Sequence, residues 1–302
     1  MNFLILDASH PLDYATWNQK LSELPMTSRD LHFEPGYVMA YAAESNARAL
    51  CALHQADDKF MIYPFILKDG PPKEISCAYG YGGPLIKGPL YLNNYAEFEK
   101  WCAANGVERE FYRTHPLIHT TEVPGEKQVV IMDLTLDLEA ELRKGHASSL
   151  ALSRKSGVTV ELSSDICLFR DMYLATMERL QANERWIFSH RLLPTLRDAY
   201  PDGFQFLLAR VNGEPEAGCI LLGAHATCYY HYAGSWNQHR NIGVGQATVV
   251  EAARWAKARG YAHLLLGGGT TADSKDPLFE FKAGFSKRRV WVYKYEREFI
   301  AK

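Results

Sequence analysis

Short apolar runs alternate with turn residues most clearly in the second half of the chain. This pattern predicts strands over Phe204–Val211, Ala217–Gly223 and Ala226–Ala233, and Asn212-Gly213 between the first two is typical of a tight hairpin turn. A helix is predicted over Gln246–Arg259. The pattern then predicts a strand at His263–Leu266, a helix at Pro277–Ala283 and a closing strand at Val290–Tyr295.

The first half and the middle of the chain predict elements of both kinds in a less regular order. The predicted strands are Tyr37–Ala43, Arg48–His54, Phe60–Leu67, Glu108–Phe111 and Val129–Leu134. The predicted helices are Tyr95–Asn105, Leu138–Lys155 and Ile166–Asn183. Helices and strands in one chain indicate a mixed α/β (α+β) fold.

Both halves run from strands through a glycine-rich turn into a helix that contains a tryptophan, Trp101 in the first and Trp255 in the second. This repetition indicates a duplicated architecture. A length of 302 residues suits two domains of about 150 residues each. We therefore expect two similar domains, residues 1–137 and residues 138–302.

Composition excludes several classes of protein. Hydrophobic residues make up 47 % and charged residues 23 %, as in ordinary globular proteins. A formal net charge of −2 argues against a protein that grips DNA or other nucleic acid nonspecifically. No apolar run approaches the roughly 18 residues of a membrane span, and no signal peptide is predicted. The six cysteines are scattered without a CxxC pair, so we expect reduced thiols, a cytoplasmic location and no metal site.

The segment Gln238–Gly245 leads from a predicted strand into a predicted helix. Gly243 and Gly245 allow a sharp turn and a close approach of the backbone to a ligand. A helix N-terminus offers unpaired N–H groups to an anion, and Arg240 adds a positive charge whose geometry suits phosphate. The segment therefore predicts a pyrophosphate site, with a plain strand-to-helix turn as the alternative. The GxGxxG spacing of dinucleotide-binding folds is not found here.

Several segments match a known family along most of the chain. They are Tyr79–Pro84, Leu142–His146, Tyr230–Ser235, Arg240–Gly245, Leu266–Gly269 and Leu278–Phe285. With these segments the chain resembles the GNAT acyltransferase superfamily and, more narrowly, its two-domain FemAB-like branch. The resemblance implies tandem GNAT-like domains, each a mixed, mostly antiparallel sheet flanked by helices. It also implies that the first domain is degenerate and helps to bind the acceptor.

The resemblance implies an acyltransferase with one of two donors. GNAT enzymes take an acyl group from acetyl-CoA or another acyl-CoA, whereas FemAB relatives take an aminoacyl group from aminoacyl-tRNA and add it to a cell-wall precursor. The intact loop favours acyl-CoA as co-substrate and an amino group of a sugar, peptide or small metabolite as acceptor. tRNA stays the alternative donor, and an inactive binding protein of the same fold is a third hypothesis. The residues expected to hold coenzyme A are Tyr232, Arg240, Asn241, Ile242, Gly243, Val244, Gly245 and Gln246.

Transfer from a thioester to an amine requires a base for the amine proton, a donor for the developing oxyanion and departure of a thiolate. The resemblance places Tyr230–Ala233 beside the reaction. His231 is the first candidate for the general base because the ordinary pKa of histidine is near neutrality. A structural strand histidine is the alternative. Further candidates for the base are Glu216, Glu280 and Asp273.

The segment Leu278–Phe285 departs from the GNAT pattern at one position. Many GNAT enzymes have a tyrosine there, which acts as an acid toward the thiolate, whereas this chain has Glu280. Lys282 follows closely and is expected to stabilise negative charge near the transferred carbonyl. A solvated helix lysine is the alternative interpretation of Lys282.

Candidates for acceptor binding are Tyr79, Tyr81, Arg113 and Trp186. The two tyrosines lie among glycines and would stack on a sugar, or simply pack between domains. Arg113 suits an acceptor phosphate, as a nucleotide sugar would require. Trp186 lies in an irregular stretch after a predicted helix, where it would wall a pocket.

Overall fold

A computed structural model describes residues 2–89, 93–120 and 123–299. The helices are α1 (Pro11–Ser22), α2 (Pro35–Glu44), α3 (Asn93–Ala104), α4 (Lys144–Lys155), α5 (Ile166–Arg179), α6 (Leu192–Ala199), α7 (Val244–Ala258) and α8 (Pro277–Lys282). The strands are β1 (Asn2–Asp7), β2 (Arg48–Ala56), β3 (Lys59–Lys68), β4 (Glu74–Ser76), β5 (Leu85–Lys87), β6 (Arg109–Arg113), β7 (Lys127–Asp133), β8 (Thr159–Ser163), β9 (Phe204–Val211), β10 (Glu214–Ala224), β11 (Thr227–Ser235), β12 (His263–Gly267), β13 (Arg289–Val292) and β14 (Lys294–Glu298). Within the described ranges, no helix combines the length and the apolar character needed to cross a membrane.

The first compact unit comprises Met1–Glu126 and Val292–Lys302. Its sheet runs in the order β1-β2-β3-β4-β6-β14, and β5 also pairs with β3. Neighbouring strands are antiparallel except β4 and β6, which are parallel. β2 and β3 are buried along most of their length, and Tyr63 and Phe65 of β3 pack against Phe98 of α3 in the core of this unit.

Lys127–Trp291 form the second unit. Its sheet runs in the order β13-β7-β12-β11-β10-β9-β8, with β11 and β12 parallel. Leu207 of β9 belongs to the core cluster that contains the apolar residues of α7, whereas its neighbour Phe206 packs against Phe169 of α5. Because successive residues of a strand point to opposite faces, α7 and α5 cover opposite faces of this sheet. Two mixed, mostly antiparallel sheets flanked by helices confirm the predicted fold class.

The division into units differs from the expected boundary between residues 137 and 138. β7 opens the second unit at Lys127, and the chain after Trp291 returns to the first unit, where β14 pairs with β6. The pairing of β14 with β6 joins segments that are distant in sequence. The order of elements along the chain therefore could not predict that the chain returns to the first unit.

The strand predicted at Tyr37–Ala43 is wrong, because this segment lies in helix α2. Six of the ten residues of α2 are buried, so apolar positions surround the helix and no helical period is visible. Pro35 at the first helical position was the available signal for a helix start.

Among the predicted elements whose bounds differ from the structure, two differ in a way that matters for the architecture. The helix predicted at Leu138–Lys155 begins only at Lys144; a separate turn precedes it, in which the Asp137 carboxylate accepts the amides of Glu139 and Ala140. The closing strand predicted at Val290–Tyr295 is divided at Tyr293 into β13 and β14, which belong to different sheets. The elements that the sequence pattern did not predict are β1, α1, β4, β5, β8 and α6.

Candidate functional site

β11 and β12 lie parallel in the middle of the second sheet but pair only over a short length. The pairing joins Thr227–Tyr229 to His263–Leu265. Beyond these residues β11 continues along β10, and β12 continues along β7. Beyond this point the two strands do not pair with each other, and we call the region between Tyr230–Ser235 and Leu266–Gly267 the cleft.

His231 lies at an irregularity of β11 beside the cleft. Ile220 of β10 pairs with Tyr232 while Leu221 pairs with Tyr230, so His231 is the extra residue of a β-bulge. A bulge locally disrupts the ladder and re-aims side chains. The His231 residue is 8 % exposed, and its ring meets the Tyr232 ring edge-on with centroids 4.5 Å apart. The predicted base thus sits at a bent point of the strand and not in regular pairing.

The segment Gln238–Gly245 forms the turn into α7, which begins at Val244. Gly243 has φ +77°, and a Cβ at this position would lie 2.1 Å from the carbonyl oxygen of Ser149. Both facts require glycine. The first amides of α7 have no acceptor within the helix and lie at the positive end of its dipole. Arg240 is exposed in the same turn, so the parts of an anion site are together.

The other residues predicted to hold coenzyme A divide into two groups. Asn241 is exposed and Gln246 is half-buried, so their side chains lie at the surface of the turn. Ile242 packs against the apolar cluster that contains Val244, and these two side chains fasten the turn to the sheet. A Cβ at Gly245 would lie 3.2 Å from the Phe281 ring, so this glycine keeps the first turn of α7 close to α8.

Glu216 on β10 holds the start of the loop. Its side chain is buried, and Oε1 accepts the amide of His239 at 2.9 Å while Oε2 lies 3.2 Å from Nδ1 of the same residue. The backbone carbonyl of Glu216 accepts the amide of Trp236 at 2.9 Å. Glu216 was a candidate base in the sequence, but the contacts of its carboxylate with the loop give it a positioning role here.

Aromatic residues line the α5 side of β11. Tyr232 packs against Tyr173 and Phe188, with ring centroids 5.4 Å and 4.7 Å away. The Tyr173 hydroxyl donates to the carbonyl of Trp186 at 2.7 Å, and Trp186 is 37 % exposed. The structure therefore places Tyr232 in an aromatic cluster that adjoins His231, and the backbone of Trp186 binds to the same cluster through Tyr173.

Helix α8 is fastened to α4 by a buried histidine. His146 Nε2 donates to the carbonyl of Phe281 at 2.8 Å, and the ring meets Phe285 edge-on. A Cβ at Gly284 would lie 2.3 Å from the His146 ring, so the Gly-Phe ending of the motif makes room for this contact. Burial lowers the pKa of His146, which favours the neutral ring.

The two predicted catalytic residues of α8 occupy different environments. Lys282 is half-buried, and its Nζ donates to the carbonyl of Gly268 at 2.9 Å. Burial, together with the charge of Lys127, lowers the pKa of Lys282 to about 8. Glu280 is exposed, as is Asp273, the third alternative base. Their assigned catalytic roles stay predictions.

The predicted acceptor residues Tyr79, Tyr81 and Arg113 lie in the first unit. Tyr79 is 36 % exposed and stacks on Tyr41, with ring centroids 5.6 Å apart. Tyr81 is buried, and burial raises the pKa of Tyr79 to about 12 and that of Tyr81 further. Arg113 Nε donates to Glu126 at 3.1 Å, so an ion pair already engages this guanidinium. Tyr79 and Arg113 offer partly exposed groups, whereas Tyr81 contributes to packing.

In the described ranges, one group of metal-ligating residue types lies together: Asp30, His32 and His115, all buried. Asp30 lies 2.7 Å from His32 Nδ1 and 3.3 Å from His115 Nε2. The amide of Leu117 donates to His115 Nδ1 at 3.2 Å, which leaves the ring proton on Nε2. Burial acts to raise the pKa of Asp30. Hydrogen bonds from the His115 and His32 rings outweigh burial and hold this pKa well below its usual range. A protonated ring nitrogen does not bind a metal, so the geometry favours a hydrogen-bonded network.

Comparison with known proteins gives a family and several similar folds. Residues 144–282 match the acetyltransferase (GNAT) domain family. FemX is 13 % identical over 99 % of this chain and 98 % of its own, with a TM-score of 0.69. L-PGS from Bacillus licheniformis is 12 % identical over 97 % of this chain and 92 % of its own, with a TM-score of 0.61. The tandem GNAT protein from the clavulanic acid biosynthesis pathway is 12 % identical over 98 % of each chain, with a TM-score of 0.58. A comparison with curated proteins gave no significant match.

The region of the second unit that matches the acetyltransferase (GNAT) domain family therefore contains the cleft, the His231 bulge and the turn into α7. The whole chain has the two-domain fold of FemX and of the tandem GNAT protein.

The sequence did not predict the structural roles of three residues of the site. They are Glu216, His146 and Asp276. Asp276 had a readable signal, because an Asp-Pro pair before an apolar run is typical of a helix start. Glu216 and His146 bind residues that are distant in sequence, so no local sequence pattern could predict their contacts.

Proposed function

We propose that the protein transfers an acyl group, in the simplest case acetyl, from acyl-CoA to an amino group of a sugar, peptide or small metabolite. The observation that carries this proposal is the cleft. β11 and β12 stop pairing after Tyr229 and Leu265, and we infer that an extended, amide-bearing ligand binds between the two strands beyond this point. The same strand, β11, then runs through the Gln238–Gly245 turn into the N-terminus of α7.

The turn fits a pyrophosphate. Gly243 lets the turn pack directly against α4, and the first amides of α7 supply donors. Arg240 is exposed and able to reach a bound anion, while Glu216 fixes the preceding residues. When bound, acyl-CoA supplies an activated thioester, and the residues of this chain orient it.

We assign the general base to His231. In the proposed reaction the amine nitrogen forms a bond to the acyl carbon, the C–S bond breaks, and the amine proton passes to the base while the thiolate leaves. His231 sits at the bulge beside the cleft, and a histidine exchanges protons near neutral pH. Lys282 supplies positive charge near the end of β12, whereas the exposed Glu280 is a poorer candidate for a group at the reacting atoms.

Isothermal titration with coenzyme A tests the donor, with Arg240→Ala as the variant. We expect binding to the wild type, and binding to Arg240→Ala that is weaker by about ten- to a hundredfold, because a hydrogen bond between charged groups contributes roughly 1.5–3 kcal/mol. Arg259→Ala is the matched control, since Arg259 lies at the other end of the same helix, over the Trp255 ring. Equal affinities for wild type and Arg240→Ala would show that the turn is not the pyrophosphate site.

Aminoacyl-tRNA is the second candidate donor, favoured by the likeness to FemX over nearly the full length of both chains. A transfer that requires charged tRNA, and that weakens steeply as salt is added, would support it. Failure of coenzyme A to bind, together with such transfer, would replace the first proposal by the second.

A further inference from the structure

Two lysine side chains flank the glycine run that follows β12. Lys282 Nζ of α8 donates to the carbonyl of Gly268 and lies 3.5 Å from the position a Cβ would take at Gly267. The Cδ and Cε atoms of Lys127, on β7, lie 3.6 Å and 3.7 Å from the position of a Cβ at Gly268. These are van der Waals distances, so both lysine side chains lie against the glycine run, and the charge of Lys127 acts on Lys282.

The charge of Lys282 is not neutralised by the chain. Among the described residues, Gly268 O is the single hydrogen-bond acceptor of its Nζ, and no carboxylate lies within ion-pair distance. An ammonium group has three donors, so two remain available. Asp276 is the nearby acid, but its carboxylate accepts from Thr270, Thr271, Leu278 and Phe279. A half-buried ammonium beside a second cation is an arrangement that favours an anionic ligand.

The surroundings of the two lysines are fixed. A Cβ at Gly269 would lie 2.5 Å from the Asp276 carboxyl, and a Cβ at Gly268 would lie 2.8 Å from the carbonyl of Gln128. The backbone of the glycine run is thus held between α8 and β7. A small hollow next to it, with a volume of about 30 Å³, is lined by Lys127, Gln128, Phe279, Trp291 and the segment 271–274.

We propose that Lys282 and Lys127 form an anion subsite for the acceptor, and that the acceptor therefore carries a carboxylate or a phosphate besides the amine that is acylated. This proposal rests on the proposed acyltransfer. The subsite lies at Gly267–Gly268, where β12 ends on its side of the cleft, whereas the donor pyrophosphate is assigned to the turn at Arg240–Gly245. An anion held at the end of β12 would orient the rest of the acceptor along the cleft toward His231.

The subsite has a definite pH range. Burial and Lys127 on β7 lower the pKa of Lys282 to about 8, and Asp276 before α8 acts in the opposite direction. Below that pH the ammonium is charged and binds the anion, and above it the charge and the binding are lost. A bound anion favours the charged form, so it must in turn raise the pKa of Lys282.

The direct test follows Lys282 itself by NMR, in protein labelled with ¹³C at lysine Cε and with the signal identified by its loss in Lys282→Met. Inorganic phosphate and succinate are the two probes, and coenzyme A is added separately. We expect one of the two anions to raise the pKa of Lys282 by about one pH unit, equal to about tenfold tighter binding to the charged lysine. A response to phosphate alone indicates a phosphorylated acceptor, and a response to succinate alone indicates a carboxylate.

Variants extend the test to binding, measured by titration of the responding anion. Lys282→Met and Lys127→Met should each weaken it, while Lys282→Arg should retain binding above pH 8, because a guanidinium keeps its charge there. Lys257→Met is the matched control, since Lys257 Nζ also donates to a backbone carbonyl, that of Leu136, at 2.8 Å.

Two results would overturn the anion subsite. One is a titration of Lys282 that neither phosphate nor succinate moves. The other is a response to coenzyme A that disappears in Arg240→Ala, which would assign the lysines to the donor. Failure of coenzyme A to bind at all would leave the lysine response intact and would count only against the proposed donor.

Discussion

At the scale of single residues, Gly243 combines two requirements that are usually separate. Its backbone is left-handed, with φ +77°, and its Cα faces the carbonyl of Ser149 on α4 so closely that a Cβ would lie 2.1 Å away. The first requirement comes from the turn itself, whereas the second comes from the packing of α4 against it. A flexible side chain can move aside, but a backbone carbonyl within a helix cannot do so without disturbing the helix.

Gly243→Ala should therefore cost more than the strain of a positive φ alone. We expect a loss of about 3 kcal/mol or more in the free energy of unfolding of the second unit, together with weaker coenzyme A binding. Gly213→Ala is the control, because Gly213 also has a positive φ, of +86°, but a Cβ at this position would have no neighbouring atom within 4 Å. Gly213→Ala should lower the free energy of unfolding by only about 1 kcal/mol. Equal losses in chemical denaturation would show that the Ser149 contact is unimportant.

Glu110 is a second residue whose surroundings predict a measurable effect. Its Oε1 accepts the hydroxyl of Tyr63 at 2.8 Å and that of Tyr95, whereas its Oε2 is buried and has no hydrogen-bond partner among the described residues. Burial raises the pKa of Glu110, so the protonated acid is favoured more in the folded protein than in the unfolded chain. The stability from this group is complete below the unfolded pKa of about 4.3 and is lost as pH rises through the folded pKa.

Glu110→Gln should remove this pH dependence, because the amide resembles the protonated acid. The variant should gain stability relative to the wild type as pH rises from 4 to 8. Each kcal/mol gained corresponds to an increase of about 2–4 °C in the melting temperature for a domain of this size. The exposed Glu108→Gln serves as control. A stability difference between Glu110→Gln and wild type that stays constant with pH would contradict the raised pKa.

At the scale of elements, the loop before α7 depends on a strand that does not adjoin it in sequence. Glu216 of β10 binds both the amide and the ring of His239, and its backbone carbonyl binds the amide of Trp236. One buried carboxylate thus fixes the direction in which the chain leaves β11. The geometry of the proposed anion site at the start of α7 therefore depends on the contacts of Glu216.

Glu216→Ala should loosen the loop without unfolding the sheet. We expect faster hydrogen exchange of the amides at 236–243 and coenzyme A binding weaker by about three- to tenfold, while Glu216→Gln, which keeps one acceptor, should lie between Ala and wild type. Glu214→Ala on the same strand is the control, because Glu214 is exposed. Unchanged exchange in the loop of Glu216→Ala would mean that other contacts hold it.

The elements also show which parts of the molecule were predictable from sequence. Strands β9 and β10 and their Asn212-Gly213 turn followed from local signals, since apolar alternation and two turn residues suffice to define a hairpin. Helix α2 did not, because burial around most of its surface removed the helical period. The bulge at His231 was also invisible, since the extra residue is defined only by the register of β11 against β10. The turn at Gly243 was predicted, but its dependence on Ser149 and Glu216 required the fold.

At the scale of the whole molecule, the C-terminal segment belongs to the first unit. β14 pairs with β6 over five residue pairs, Tyr295 stacks on Tyr112 with ring centroids 4.7 Å apart, and Phe299 packs against the core cluster of this unit. The two units are therefore not two consecutive halves of the chain. The second unit is an insertion between the last two strands of the first sheet.

A chain that stops after Trp291 should keep the second unit folded and destabilise the first. Loss of β14 exposes the edge of β6 and removes its stacking and core contacts. Hydrogen exchange should become faster in β6 and β4 and stay slow in β10 and β11. A chain that stops after Phe299 retains these contacts and is the control. Equal protection of the β6 amides in both truncated chains would show that β14 contributes little to the stability of the first unit.

The same return of the chain sets an order of events during synthesis. Lys294, the partner of Arg113, is made about 180 residues after it, which takes on the order of ten to forty seconds at a ribosomal rate of roughly 5–20 residues per second. Throughout that interval the edge of β6 has no permanent neighbour and is open to any other extended chain. The second unit is made during this interval, and its last strand, β13, is finished directly before β14 begins. The sheets of the two units are therefore completed almost together, and β6 is the strand that waits longest for its partner.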